Sequence, residues 1–312
     1  MRGAERVDFP RRWLTPIDFE GVVSRQAFGV HLRRGGTVVV SFPEGARVPA
    51  GLGLWLLSFL NQLADRGAGH IHLEFAEVAG LFGYMDRSGF LQLLSDNITT
   101  EPERPAISTA EAHRGEAIGL VEIAELRRGV GVRERQGVIG AVVDKLIGFY
   151  PSGREKTRRL QNHLFTVLGE LVDNVFSHSR TRLPGYVSLQ AYRKEERRPR
   201  IQVAVSDSGI GIPASIRETR GRVVAGLGDA QIVLEAFRQG LSRHGSAAGH
   251  GCGLTHCASL AARYGSTLYV RTPTAQVVLD PATGSRPYHN AQIIETVAEL
   301  AGTHLYWDFR VA

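Results

Sequence analysis

Apolar positions divide the chain into two α/β stretches separated by a polar interval. The β-branched run Thr37-Val-Val-Val-Ser-Phe42 predicts a strand, broken by Gly45 and Pro49. Leu52, Leu54, Leu56, Leu57 and Leu60 then crowd one side of a helix over 50–66, which Gly67 and Gly69 stop. His70-Ile-His-Leu-Glu-Phe75 alternates as a second strand, and 80–94 reads as a short helix packing Phe82, Met85 and Leu91. Strand–helix–strand–helix order implies an α/β layer with at least one parallel pair. The first 30 residues, basic at the start, read as a tail, and 101–135, entered through a polar stretch with two prolines, as a linker.

From Gln136 the helical period returns through Val138, Ile139, Val142, Val143 and Ile147, and Pro151-Ser-Gly153 interrupts it. Leu164, Val167, Leu168, Leu171, Val172 and Val175 then recur at helical spacing, which predicts a long helix over 156–179. Two strands follow at 185–192 and 200–206, then a glycine-punctuated segment over 209–253 with one helical stretch near 229–241. A helix over 254–264 leads into a β-rich end with strands at 267–272, 276–279 and 304–311.

Composition narrows the class. Three of the 37 basic residues are lysines, so 37 − 3 = 34 are arginines, and the net charge is +6 with no long basic block. That balance points away from a nucleic-acid surface. Two cysteines, Cys252 and Cys257, build no disulfide framework and suggest a reducing compartment. The longest charge-free run, 48–64, contains Ser58, Asn61 and Gln62 and is short for a membrane span. The expectation is a cytoplasmic protein without membrane contact.

Three boxes carry candidate chemistry. In the long helix, Glu170, Asn174 and His178 lie at i, i+4 and i+8 and so project from one side, about 6 Å apart along the axis. A carboxylate and a carboxamide one turn apart suit Mg²⁺ and the alignment of a water or hydroxyl. Second, the strand Val203-Ala-Val-Ser delivers Asp207 into a turn with Gly209 and Gly211. A carboxylate there accepts from an exocyclic amine while the glycines let a flat ring approach the backbone. Third, Gly249, Gly251 and Gly253 alternate just before Leu254 opens a helix, leaving amides to wrap a phosphate. Each box alone also fits a polar helix stripe, an Asp turn or a flexible loop. No Gly-Lys-Ser/Thr loop is present.

In this order, and followed by Gly302-Thr303-His-Leu-Tyr-Trp in the last strand, the boxes resemble the GHKL ATP-binding domain. That family is shared by gyrase-type ATPases, heat-shock chaperones, mismatch-repair proteins and sensor kinases. The resemblance covers about 136–312 and implies a two-layer α/β sandwich with ATP and Mg²⁺ as cofactors. It implies Glu170 as the acid/base position, Asn174 as the Mg²⁺ ligand, and Asp173 and His178 beside it at the cofactor. Asp207 would hold the adenine amino group, with Gly209, Gly211 and Thr303 shaping that side. Gly249, Gly251, Gly253 and Leu254 would line the triphosphate, and 213–249 would be the nucleotide lid.

The compact form looks most like the anti-sigma serine kinases, although Ser177 stands where that group often carries a lysine. Residues 31–100 are similar to STAS domains, the antagonists of such kinases. Here the turn before the helix, Arg47-Val-Pro-Ala-Gly51, has no phosphorylatable hydroxyl. Together these imply a regulatory protein with a STAS-like module ahead of its ATP domain, and a protein partner that is either regulator or phosphorylation target. The reading leaves open a kinase acting on Ser/Thr or His, a slow ATPase or a non-catalytic ATP-gated interaction module, and a monomer or a homodimer.

Overall fold

The computed structural model describes residues 4–25, 35–67, 69–116, 119–127, 129, 131–148, 154–178, 180–192, 200–239, 253–280, 291–294 and 300–310. The chain forms two units, Met1–Ile123 and Ala124–Ala312.

In the first unit, strands β1 (Glu5–Asp8), β2 (Thr37–Phe42), β3 (His70–Phe75) and β4 (Ile98–Glu101) pair side by side in chain order, all parallel. Helix α1 (Pro16–Arg25), helix α2 (Ala50–Arg66) and a turn over Val78–Phe82 running into α3 (Gly83–Ser88) make the crossings. Crossovers between adjacent parallel strands are right-handed, which puts these three connections on one face of the sheet. Helix α2 is buried without a break from Ala50 to Gln62, more than an amphipathic stripe requires. Its polar Asn61 is satisfied: the amide donates to the Leu93 carbonyl at 2.8 Å and accepts from Ser95 N–H at 2.9 Å. Phe9, Phe42 and Phe75 stack across three strands with centroids 4.8 and 4.9 Å apart. The predicted helix over 80–94 is interrupted instead, because Gly89 takes φ +85° and ends α3.

Two stretches expected to lie outside the elements are built into this unit. The tail over 1–30 contributes β1 and α1, and the linker over 101–135 contains α4 (Thr109–Ala112), capped by Ser108 Oγ accepting from Glu111 N–H at 2.9 Å. Strands of four residues with one or two inward side chains, such as Val7 of β1, are too short for a periodic signal. The second unit starts at Ala124, ahead of the expected 136.

The second unit is a seven-stranded sheet in the order β10-β9-β8-β11-β7-β6-β5. Its strands are β5 (Leu120–Leu126), which crosses the unit boundary, β6 (Gly185–Tyr192), β7 (Arg200–Ser206), β8 (Thr267–Arg271), β9 (Gln276–Leu279), β10 (Gln292–Ile294) and β11 (His304–Arg310). Every pairing from β6 through β10 is antiparallel. Helices α5 (Val132–Ile147), α6 (Arg154–His178), α7 (Gly211–Arg220), α8 (Asp229–Gln239) and α9 (Gly253–Tyr264) complete the unit, four of them packing on the sheet. Leu189, Val203, Trp307 and Leu268 form one apolar row across four strands, each fully buried. The neighbouring row, Ser188, Ala204, Tyr306 and Tyr269, faces the other way, as the pleat requires. This is the α/β sandwich that the boxes imply.

Candidate functional site

Asp207 follows the last residue of β7, and its carboxylate is buried. Gly209 N–H donates to Oδ1 at 2.7 Å and Thr303 N–H donates to Oδ2 at 3.2 Å, while Asp207 N–H donates to the Thr303 carbonyl at 2.9 Å. Burial raises the carboxyl to about 6 against the pull of those two amides. A carboxylate has about four lone-pair sites, so two remain for a donor on a ligand.

The approach of β11 to Asp207 depends on glycine. Gly302 sits at φ +101°, and a Cβ there would lie 2.0 Å from the Asp207 carbonyl oxygen, inside its van der Waals radius. Gly211, at φ +77°, leaves no room either: its Cβ would stand 2.7 Å from Pro273 Cδ and 3.1 Å from the Gly302 oxygen. Behind this turn, buried His304 accepts at Nδ1 from the Ser206 hydroxyl and donates from Nε2 to the Ala301 carbonyl at 2.9 Å. Burial and the nearby Arg271 guanidinium push the imidazole down to about 3, so it stays neutral and keeps this tautomer.

Helix α6 supplies the first box. Gly185, at the start of β6, makes the helix–sheet junction: a Cβ would lie 2.4 Å from Val175 Cγ1 and 3.0 Å from the Ser206 carbonyl oxygen. Val175 adjoins Asn174, and Ser206 adjoins Asp207. One glycine therefore seats the Asn174 turn of α6 against the end of β7 that carries Asp207. Asn174 is exposed and Glu170 half-buried on α6. Glu170 Oε1 faces His256 Nδ1 of α9 at 3.7 Å, which ties the first turn of α9 to α6. Next to that histidine, Cys257 is fully buried, and burial with the Glu170 charge holds its thiol well above the usual range.

Asp173 points elsewhere. Its carboxylate pairs with Arg135 Nη1 of α5 at 2.7 Å, and the same guanidinium lies 4.8 Å over the Phe176 ring. Its direct partner is thus a helix–helix contact and not the cofactor side that the resemblance implies. His178 ends α6, and its side chain lies outside the described residues.

The segment expected to be a lid divides in two. Up to Gln239 it is folded, with an unforeseen helix, α7, beside the anticipated α8. Ile216, Val224, Ile232 and Ala236 form a small core of their own. Arg217 pairs with Asp229 and donates to the Leu227 carbonyl at 3.2 Å, and Asp229 also accepts from Thr274. Residues 240–252 lie outside the described residues, and with them Gly249, Gly251 and Cys252. Gly253 opens α9, and half-buried Leu254 packs against the α7–α8 core, so the exit of the glycine loop is anchored there.

The structure thus joins Asp207, Gly209, Gly211 and Thr303 around one turn and seats the Asn174 turn beside it. Gly185, His256, Pro273 and the Ser206–His304 pair carry no motif signal; Gly185, as a glycine opening a strand, is the one whose position offered a hint.

Among the described residues no helix is long and apolar enough to cross a membrane. No curated protein and no solved structure matches the chain. Residues 159–290, however, match the family model described as histidine kinase-, DNA gyrase B-, and HSP90-like ATPase, and these are the residues that carry α6, β6, β7 and the Asp207 turn. Within the C-terminal half of the chain, residues 159–290 therefore carry a GHKL-type ATPase domain, a family of ATP-binding folds.

Proposed function

We propose that the protein is a Mg·ATP-dependent regulator that transfers the γ-phosphoryl group to a side chain of a protein partner, Ser/Thr or His. The observation that carries this reading is the half-buried Glu170, which faces His256 of α9 and lies on α6, the helix that Gly185 seats against the end of β7 beside Asp207. A carboxylate in that position can take the proton of an acceptor hydroxyl or of water. Asp207 would accept from the adenine amino group, in a turn whose close backbone approach Gly302 and Gly211 permit. Asn174, exposed on α6, offers its amide oxygen to Mg²⁺, which when bound would neutralise phosphate charge. Gly249 and Gly251 would supply amides to the phosphates, as the resemblance implies.

A second reading is an ATP-gated interaction module without turnover. Leu254 favours it, because it links the exit of the glycine loop to the α7–α8 core, so a nucleotide held by that loop would be read on this surface.

Incubation with labelled ATP, alone and with cell lysate, separates the two in wild type and Glu170→Gln. Kinase or ATPase action requires turnover that falls by about 10²–10⁴ in the variant while ATP binding persists. Equal turnover in both removes Glu170 as the base. Binding without turnover in either supports the gated module.

A further inference from the structure

The first unit carries a side-chain cluster unrelated to the nucleotide site. On the sheet face where β3 alternates outward, His72 and Glu74 of β3 and Glu101 of β4 place one nitrogen and two carboxylate oxygens within 4.8 Å of one another. We propose that this cluster is a binding site for a divalent first-row transition ion, of which Zn²⁺ is the probe.

Four observations support it. The register sets Glu74 directly beside Glu101 across the β3–β4 ladder, like charges whose repulsion a shared metal ion would relieve beyond what the Arg6 guanidinium on Glu74 does. Arg6 Nη1 meets Glu74 Oε2 at 2.7 Å, which engages one oxygen of one of the two carboxylates. His72 Nε2 stands 3.8 Å from Glu101 Oε2, too far for a hydrogen bond. Two ligands about 2.1 Å from a shared ion lie about 3–3.5 Å apart, so a small rotation of Glu101, whose side chain is 78% exposed, closes the set.

The fourth is the support behind the imidazole. Thr99 Oγ1 lies 2.7 Å from His72 Nδ1 and 2.8 Å from His70 Nε2. A hydroxyl can accept from one ring and donate to the other. With His72 Nδ1–H donating to Thr99 and Thr99 donating to His70, the Nε2 lone pair of His72 is turned toward Glu101. A ligating histidine is oriented in this way, its second nitrogen held by a hydrogen-bond acceptor. The strands beneath are rigid, since Ile71, Leu73 and Ile98 are buried on the opposite face. One nitrogen with two carboxylate oxygens suits Zn²⁺ with a position left for water, and it disfavours Ca²⁺, which takes oxygen alone.

The experiment is calorimetric titration of the metal-free, untagged full chain with ZnCl₂ in the absence of nucleotide. One equivalent should bind, with affinity falling tenfold or more in both His72→Gln and Glu101→Gln, and in Thr99→Val by about 10–100-fold. Glu101 is an exposed side chain on an edge strand, so its variant keeps the test valid should His72→Gln fold poorly. Absence of stoichiometric binding in wild type overturns the proposal. So does unchanged affinity in either ligand variant, which would assign the binding to other histidines among the chain's 11.

Discussion

A single carboxylate sets the chemistry of the proposed nucleotide site. Asp207 is raised from 3.8 to about 6, so the folded state holds its proton more tightly than the unfolded chain does. The sign follows: its contribution to stability is greatest below about pH 4 and declines as pH rises through about 6. At neutral pH the ionised group costs roughly 3 kcal/mol. A ligand amine that donates to the carboxylate offsets part of that cost. Nucleotide affinity should therefore be highest above pH 7 and weaken about tenfold by pH 5, because binding then requires loss of the proton. Asp207→Asn should lose tenfold or more at pH 7.5 and flatten the profile, having no proton to lose. Titration calorimetry at pH 5 and 7.5 measures both, and a pH-independent wild-type affinity contradicts the assignment.

At the scale of elements, the site depends on how closely α6 approaches the sheet. The boxes on α6 and β7 are separate in sequence, and Gly185 between them lets Val175 contact the sheet beside Ser206. A methyl at 185 cannot be accommodated by rotation alone, since one of its close neighbours is a backbone carbonyl 3.0 Å away. Gly185→Ala should destabilise the second unit by about 1–3 kcal/mol through overpacking. It should also weaken ATP binding although residue 185 is no ligand, by moving the Asn174 turn relative to Asp207. Denaturant unfolding read together with ATP affinity checks this, and a variant with wild-type values in both shows the junction to be slack. The α7–α8 core carries the complementary lesson. Segment 213–239, part of the stretch expected to be a lid, is folded because Ile216, Val224, Ile232 and Ala236 find one another.

For the whole molecule, the question is whether the two units respond to ATP together. The first has a parallel sheet with its own core around α2, the second a sheet antiparallel from β6 through β10 with the GHKL-type match. We expect Mg·ATP to raise hydrogen-exchange protection around Asp207, Thr303 and the start of α9, and to alter exchange in α2 as well. A response confined to residues 124–312 would show that occupancy is not communicated to the first unit.

The sequence alone determined the elements long enough to display their period. Strands 185–192 and 200–206 coincide with β6 and β7, and the helices over 50–66 and 156–179 coincide with α2 and α6 to within two residues. The order of the boxes on those elements indicated the GHKL-type domain, since the glycine and carboxylate spacings are local constraints that the chain must carry in its own order. Short elements left no such trace. β1, β4 and β10 have three or four residues each, and pairing with neighbours creates them. Only the tertiary structure decided which side chains meet. Asp173, next to the Mg²⁺ candidate in sequence, turns to Arg135, while His256, 86 residues from Glu170, comes to face it. The same holds for the His72–Glu74–Glu101 cluster, which exists because the β3–β4 register brings position 101 beside position 74. Contacts of this kind depend on helix rotation and strand register, and those are fixed by how all the buried surfaces pack at once.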